Sequence, residues 1–164
     1  MRFWGWSGAA AALAIALAGC GDARKDAAHQ VRAFFVAAEG GNPMVFEAHI
    51  DRVALRADLK GQLMALPEVR VLYDQLGDAT GEVAVDHMIS PESFRAFRAQ
   101  SSLSPHSDEK EIASRLRVLA PNRVCLRDVD VKDRCQLTFA KQGRTWKLVG
   151  LHAPDLRASA PGSF

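Results

Sequence analysis

The chain has 164 residues, of which 48% are hydrophobic and 24% are charged, and its formal net charge is +2 with the histidines neutral. A charge so close to balance argues against nucleic-acid binding, which requires a strongly basic domain, and against recruitment to a membrane by charge alone. The length is enough for one domain with its own core and too short to expect two.

The amino-terminal segment predicts an export signal. It starts with Met1 and Arg2, continues as an uncharged run from Ala9 to Ala18, and reaches the sequence Leu-Ala-Gly-Cys at 17–20. The apolar run is well short of the ~20 residues that a membrane-spanning helix needs, and small residues precede the cleavage point. We therefore expect residues 1–19 to be a lipoprotein signal peptide that is cleaved.

Cys20 is the predicted site of lipidation. Its sulfur is the nucleophile that takes a thioether-linked diacylglycerol, and each buried methylene of the acyl chains contributes about 0.8 kcal/mol, so that two or three chains anchor a protein stably. We expect a lipid-anchored domain that faces the periplasm, with membrane lipid as its first partner. Gly21 favours the outer membrane over the inner membrane, although Asp22, one place later, weakens that preference.

Helical spacing of apolar residues follows. The first helix is predicted over 22–40, so that residues 20–29 form the acylated amino terminus and its start; Val31, Phe34 and Phe35 share its inner face. Capping and breaking residues predict the others: a short helix at Asn42-Pro43, one capped by Asp51, one over 67–77, one over Val83–Ile89, one reset by Ser90-Pro91, and one started by Ser107-Asp108-Glu109 that carries Ile112, Leu116 and Leu119. The polar stretch Ser101–Glu111 is predicted as a mobile loop or lid.

After Pro121 the pattern changes to the alternation of strands. Apolar residues alternate over 124–131 and again around Leu137 and Trp146, and the segment Lys141–Arg144 is typical of a hairpin loop. Trp146 is expected to anchor the sheet to the helices. The fold class predicted is α+β, with N-terminal helices packed on a small C-terminal antiparallel sheet in one domain over 30–154, followed by a flexible tail over 155–164.

Cys125 and Cys135 are predicted to form a disulfide, because free thiols are a liability in an oxidising compartment. Two registers remain open. If the two cysteines face each other, the turn centres on Asp130 and a bridge can form when the Cα atoms come within ~6 Å. A tight turn at Lys132-Asp133 instead places Cys125 opposite Ala140 and prevents the bridge.

Three blocks resemble an uncharacterised bacterial family. The blocks are Ile50–Leu63, Asp86–Glu92 and Gln142–Pro154. They resemble domain-of-unknown-function family 2939, and the resemblance spans about residues 30–154, although each block is short. The chain departs from the family at Arg52-Val53, where an aromatic-proline pair is usual, and at Asn42, where Asp is common. The resemblance implies a small exported or membrane-attached domain of unassigned role and brings no known activity.

The sequence contains no motif for catalysis, a metal or a cofactor. The five histidines lack the spacing that puts two metal ligands on one helical face, and no nucleophile motif or phosphate-binding loop is present. One alternative is that His49 and His87 converge in space with Asp51 and Asp86 to form a metal site. The default interpretation is that these histidines lie at the surface or at helix caps.

The sequence is compatible with two functions. The first is a non-catalytic domain that binds an unknown protein or a small apolar ligand, for which a pocket lined by Phe35, Tyr73 and Trp146 is one candidate. The alternative is an envelope enzyme with its active site in a helix–sheet cleft, which requires titratable groups that converge there. A purely structural role instead predicts a large exposed apolar patch.

Overall fold

Helices precede the sheet along the chain. The computed structural model describes residues 10–100, 107–128, 131 and 134–152. The helices are α1 Ala10–Gly40, α2 Pro43–Ala48, α3 Arg52–Met64, α4 Pro67–Leu76, α5 Asp78–Met88, α6 Pro91–Gln100 and α7 Glu109–Arg115. The strands β1 Leu116–Ala120, β2 Arg123–Arg127, β3 Cys135–Gln142 and β4 Thr145–Leu151 form one antiparallel sheet in the order β1-β2-β3-β4. The predicted α+β class is confirmed.

Local capping chemistry determines where several helices begin. The side chain of Asn42 accepts hydrogen bonds from Met44 N and Val45 N ahead of the α2 helix, and that of Asp51 accepts one from Ala54 N. Each side chain satisfies amide groups that the first turn of a helix leaves without an intrahelical partner. These two starts are where the sequence predicted them.

Two helices begin earlier than predicted. α1 starts at Ala10 rather than residue 22, so the helical backbone passes through the predicted signal boundary and through Cys20 without a break. Alanine and leucine dominate this stretch and favour helix strongly. α5 starts at Asp78 rather than Val83, directly after Gly77, whose φ of +80° separates it from α4.

The prediction that the last helix carries Leu116 and Leu119 is wrong. α7 ends at Arg115, and both leucines belong to β1, where Leu116 pairs with Leu126 and Val118 with Val124. A short apolar pattern fits either element, and pairing with a neighbouring strand decides between them. The predicted polar loop is shortened at its end, since Glu109 is already helical; residues 101–106 lie outside the described part.

The strands differ from prediction in their ends and register. β2 stops at Arg127, so Val131 is not part of it. In the β3–β4 hairpin the loop contracts to Gly143-Arg144, with Gly143 at φ +61°, as a two-residue turn with glycine in first place requires. The predicted tail over 155–164 and residues 1–9 of the predicted signal lie outside the described residues.

Neither predicted cysteine register is observed, yet the structure contains the disulfide. Cys125 pairs with Thr138 and Arg127 with Cys135, with an irregularity between Leu126 and Arg127. The bulge brings the two cysteines together diagonally, with their Cα atoms 5.5 Å apart and their sulfurs bonded. Both proposed turn centres, Asp130 and Lys132-Asp133, lie outside the described residues.

The core lies between α1 and the sheet. Phe34 of α1 is fully buried, and its ring centroid lies 5.2 Å from that of Phe94 and 5.7 Å from those of Phe46 and Phe139. The rings of Phe94 and Phe139 meet that of Phe34 edge to face, an arrangement that contributes beyond the area it buries. Through Phe34, α1 therefore contacts α2, α6 and β3 at one point.

The segment between α2 and α3 extends the sheet by a short bridge. Asp51 N donates to Leu148 O at 2.9 Å and Leu148 N donates to His49 O at 3.0 Å, which makes Ile50 a parallel bridge partner of β4. This contact covers part of the outer edge of β4 and fixes the position of His49.

Candidate functional site

The predicted metal alternative is not formed. Asp51 caps α3 and also accepts a hydrogen bond from Gln142, while Asp86 is bound by arginines and His87 is exposed. In the described ranges, His, Cys, Asp and Glu side chains nowhere gather in a group of three that would hold a metal ion.

Asp86 instead belongs to a charge network that joins α2, α3 and α5. Arg52 contacts the Glu47 carboxylate and donates to Asp86 Oδ1 at 3.2 Å and to Ile89 O at 3.1 Å. Arg56 holds both oxygens of Asp86, with its Nη2 at 2.6 and 2.7 Å. The Arg56 guanidinium, and then Arg52, keep the pKa of Asp86 below its usual value. The network is a set of ion pairs that holds these three helices together.

A set of hydrogen bonds joins α3 to the end of the sheet. Asp58 Oδ2 accepts hydrogen bonds from Leu151 N at 3.1 Å and from Gln62 Nε2 at 2.8 Å, and Gln62 Nε2 also donates to Leu151 O at 2.6 Å. Most polar side chains of the block 50–63, including Arg52 and Arg56, therefore form bonds that hold α3 against its neighbours. That block is one of the three on which the resemblance to domain-of-unknown-function family 2939 was based.

Trp146 anchors the sheet to the first helix, as predicted. Its ring is 1% exposed, and its Nε1 donates to Asp26 Oδ2 at 3.0 Å. Lys141 Nζ reaches the same oxygen at 2.7 Å. The hydrogen bonds from Lys141 and Trp146 lower the pKa of Asp26. Asp26 is thus a carboxylate held by the β3–β4 hairpin.

The predicted pocket of Phe35, Tyr73 and Trp146 is wrong. Phe35 and Trp146 belong to the main core cluster, whereas Tyr73, although only 8% exposed, lines a different surface, where Lys60 Nζ lies 5.3 Å from its ring centroid. That surface is a shallow groove of about 180 Å³ lined by Val53, Arg56, Ala57, Lys60, Tyr73, Glu82 and Val85.

A larger groove of about 460 Å³ runs between α1 and α2. It is lined by His29, Arg32, Ala33, Val36, Ala37, Gly40, Asn42, Val45 and His49. Its volume falls in the range of about 300–1,000 Å³ that small-molecule sites occupy. The wall is mostly apolar, and every ionisable residue that lines it is basic. This groove is the candidate functional site.

The sequence does not predict this groove, although exposed apolar residues mark it in the structure. Val36 lies off the buried face of α1 and is 58% exposed, and Met44 and Val45 of the short α2 are 84% and 47% exposed. Single exposed apolar residues are ordinary, but Val36 and Val45 line the same concavity, and this is informative. Their proximity depends on how α2 folds back onto α1, which local patterns do not specify.

The basic residues of the groove differ in their surroundings. Burial, and then the nearby charge of Lys147, lower the pKa of His49, and its Nδ1 is buried without a hydrogen-bond partner in the described part of the chain. His29 Nδ1 lies 2.8 Å from Glu109 Oε1. Arg32 is exposed and forms no ion pair with any described residue. The groove therefore combines one permanent cation with two histidines.

The chain matches no protein-family model, and comparison with curated proteins and with solved structures finds no similar protein. The resemblance to domain-of-unknown-function family 2939 therefore stays a prediction. Across the part of the chain that the structure describes, helices that combine enough length with enough apolar character to cross a bilayer are absent.

Proposed function

We propose that this protein is a lipoprotein, anchored to an envelope membrane through acyl chains on Cys20 and facing the periplasm, whose domain binds a small apolar ligand or a protein partner. The sequence Leu-Ala-Gly-Cys after a short apolar run supports the anchor. Gly21 supports the outer membrane as the more favoured location. The groove between α1 and α2 supports a binding role.

The continuity of α1 is the observation that carries the proposal. The same helix contains Cys20 and the first buried core residues, Ala27 and Ala28, and continues to Phe34 in the centre of the core. Seven residues of helix separate Cys20 from Ala27, an axial rise of about 10 Å. An acylated Cys20 would therefore hold the domain close to the membrane surface with no flexible linker between them.

The composition of the groove supports binding over catalysis. Its lining residues include no acid, hydroxyl or thiol that would serve as a nucleophile. Glu47 of α2 is occupied by Arg52, and Glu109 is bonded to the lining residue His29. An envelope enzyme is the alternative, and the observation in its favour is that His29 and His49 line the same groove, since histidine is the commonest general acid or base.

Metabolic labelling with palmitate tests the anchor. We expect the wild-type protein to incorporate label and to fractionate with membranes, and Cys20→Ser to lose the label and appear in soluble periplasmic extract. The matched control is the double variant Cys125→Ser/Cys135→Ser, which removes the two remaining cysteines and should keep the label. An unlabelled wild type, or a Cys20→Ser variant still held firmly in the membrane fraction, contradicts the proposal.

A further inference from the structure

The charge of the groove between α1 and α2 restricts what it can bind. Three of its nine lining residues are ionisable, namely His29, Arg32 and His49, and all three are basic. Lys147 adds a further positive charge close enough to His49 to lower its pKa. Glu109, which faces His29, is the acidic partner at this end of the groove. A site with this charge favours a ligand that carries a negative group.

The remaining wall favours a hydrocarbon. Ala33, Val36, Ala37 and Val45 supply methyl groups along the groove, and Gly40 leaves space beside them. Val36 and Val45 keep about half of their surface open to solvent, so a ligand that covered them would remove apolar surface from water. The negative group of such a ligand would pair with the guanidinium of Arg32, which has no ion-pair partner among the described residues.

The groove lies along α1 close to Cys20, the predicted lipid anchor. His29 follows Cys20 by nine residues of continuous helix, an axial rise of about 14 Å. Gly40 lies at the far end of α1, about 30 Å from Cys20. A domain held at a bilayer by Cys20 would present this groove within reach of amphiphiles that leave the membrane surface.

We propose that the groove between α1 and α2 binds an anionic single-chain amphiphile, with the acyl chain along Ala33, Val36, Ala37 and Val45 and the anionic head at Arg32. The occupant is a free long-chain fatty acid, because its single carboxylate matches Arg32, the one permanent cation among the lining residues. The proposal deepens the binding function proposed above and rests on it, and it does not depend on whether Cys20 is acylated.

Fluorescence titration with a pyrene-labelled fatty acid tests this inference. The full-length chain carrying Cys20→Ser is used, because it has no acyl chains of its own that would compete for the groove. We expect saturable one-to-one binding, and we expect the methyl ester of the same fatty acid to bind about tenfold more weakly, since it lacks the charge that Arg32 pairs with. Palmitate should displace the probe at a lower concentration than lysophosphatidylglycerol does, and the reverse order would overturn a fatty acid as the occupant.

Two groove variants with matched controls locate the site. Val36→Glu puts a negative charge on the apolar wall and should weaken binding of the fatty acid at least about tenfold, whereas Val83→Glu, the same change at a residue 69% exposed on α5, should leave it unchanged. Arg32→Gln should remove the difference between acid and ester, and Arg144→Gln in the hairpin turn should keep it. All four residues are exposed, and unchanged far-ultraviolet circular dichroism verifies the fold.

The outcomes separate this inference from the proposed function. Equal binding of acid and ester at the groove overturns the anionic class but leaves a binder of apolar ligands. Binding that Val36→Glu does not weaken overturns the site, because the ligand then binds elsewhere, for example on the apolar amino-terminal segment. Absence of binding by both acid and ester overturns the inference and removes the small-ligand form of the proposed function, while palmitate labelling of Cys20 is unaffected.

Discussion

Asp58→Ala should destabilise the domain through the end of the sheet. β4 is the last strand of the sheet, and Asp58 Oδ2 accepts the hydrogen bonds of Leu151 N and Gln62 Nε2 at its outer side. Leu151 is buried, so removing the carboxylate leaves its amide with an unsatisfied donor, which costs about 1–3 kcal/mol. Because Asp58 is itself half-buried and water can partly replace it, we expect a loss of about 2 kcal/mol.

Urea unfolding followed by circular dichroism measures this loss. For a domain of this size, about 2 kcal/mol corresponds to a fall in Tm of roughly 4–8 °C. Asp58→Asn keeps an oxygen that accepts from Leu151 N, and should cost under about 1 kcal/mol.

The matched control is Asp74→Ala, at an exposed position of α4 where no described residue contacts the carboxylate; it should change stability by less than about 0.5 kcal/mol. If Asp58→Ala behaves like Asp74→Ala, the side chain does not hold the end of β4 and our interpretation of the block 50–63 is wrong.

Three further predictions concern packing, pH and the disulfide. Gly81→Ala should lower the free energy of unfolding by about 1–3 kcal/mol, because a Cβ there would overlap the ring of Tyr73 at Cζ. Gly61→Ala should raise it by about 1 kcal/mol, because Gly61 is an exposed helical residue with open space around it. Thermal unfolding measures both variants, and a change of stability in the same direction for both would contradict the prediction. Because the pKa of His49 is lowered in the folded state, the unfolded chain binds a proton at this residue more readily than the folded chain does. The neutral imidazole therefore contributes its full share of stability above pH ~6.5, and this share is lost as the pH falls through the folded-state pKa. His49→Gln should flatten the change in urea midpoint between about pH 5 and pH 7, and a slope equal to that of wild type would refute this. Reduction of the disulfide, which spans a sequence separation of 10, should cost about 2–4 kcal/mol, and alkylation should modify its thiols only after reduction; modification before reduction would show that the bridge is absent.

Features that depend on a few neighbouring residues could be predicted from the sequence. Asn42 and Asp51 were identified as caps because a cap needs only a short polar side chain and the next few amides. The anchoring position of Trp146 followed from a large ring on a strand near the end of the domain. The fold class could be predicted because the change from helical to strand periodicity occurs once along the chain.

Features that depend on contacts between distant segments could not be predicted. Leu116 fits a helix and a strand equally well until β2 is placed beside it. The bulge beside Leu126 shifts the register by an amount that alternation does not encode, so both expected cysteine registers were wrong although the disulfide forms. The groove arises where α2 folds back on α1, and its basic residues are separated in sequence by up to a helix and a turn.

The bridge between Ile50 and Leu148 has a consequence for self-association. A strand at the side of a sheet offers unpaired amides and carbonyls to other chains, and this contact occupies some of those of β4. At the opposite side stands β1, five residues long and irregular between Val118 and Ala120. Two copies that meet would therefore find part of the β4 edge covered and the β1 edge interrupted by this irregularity, and both features disfavour edge-to-edge pairing.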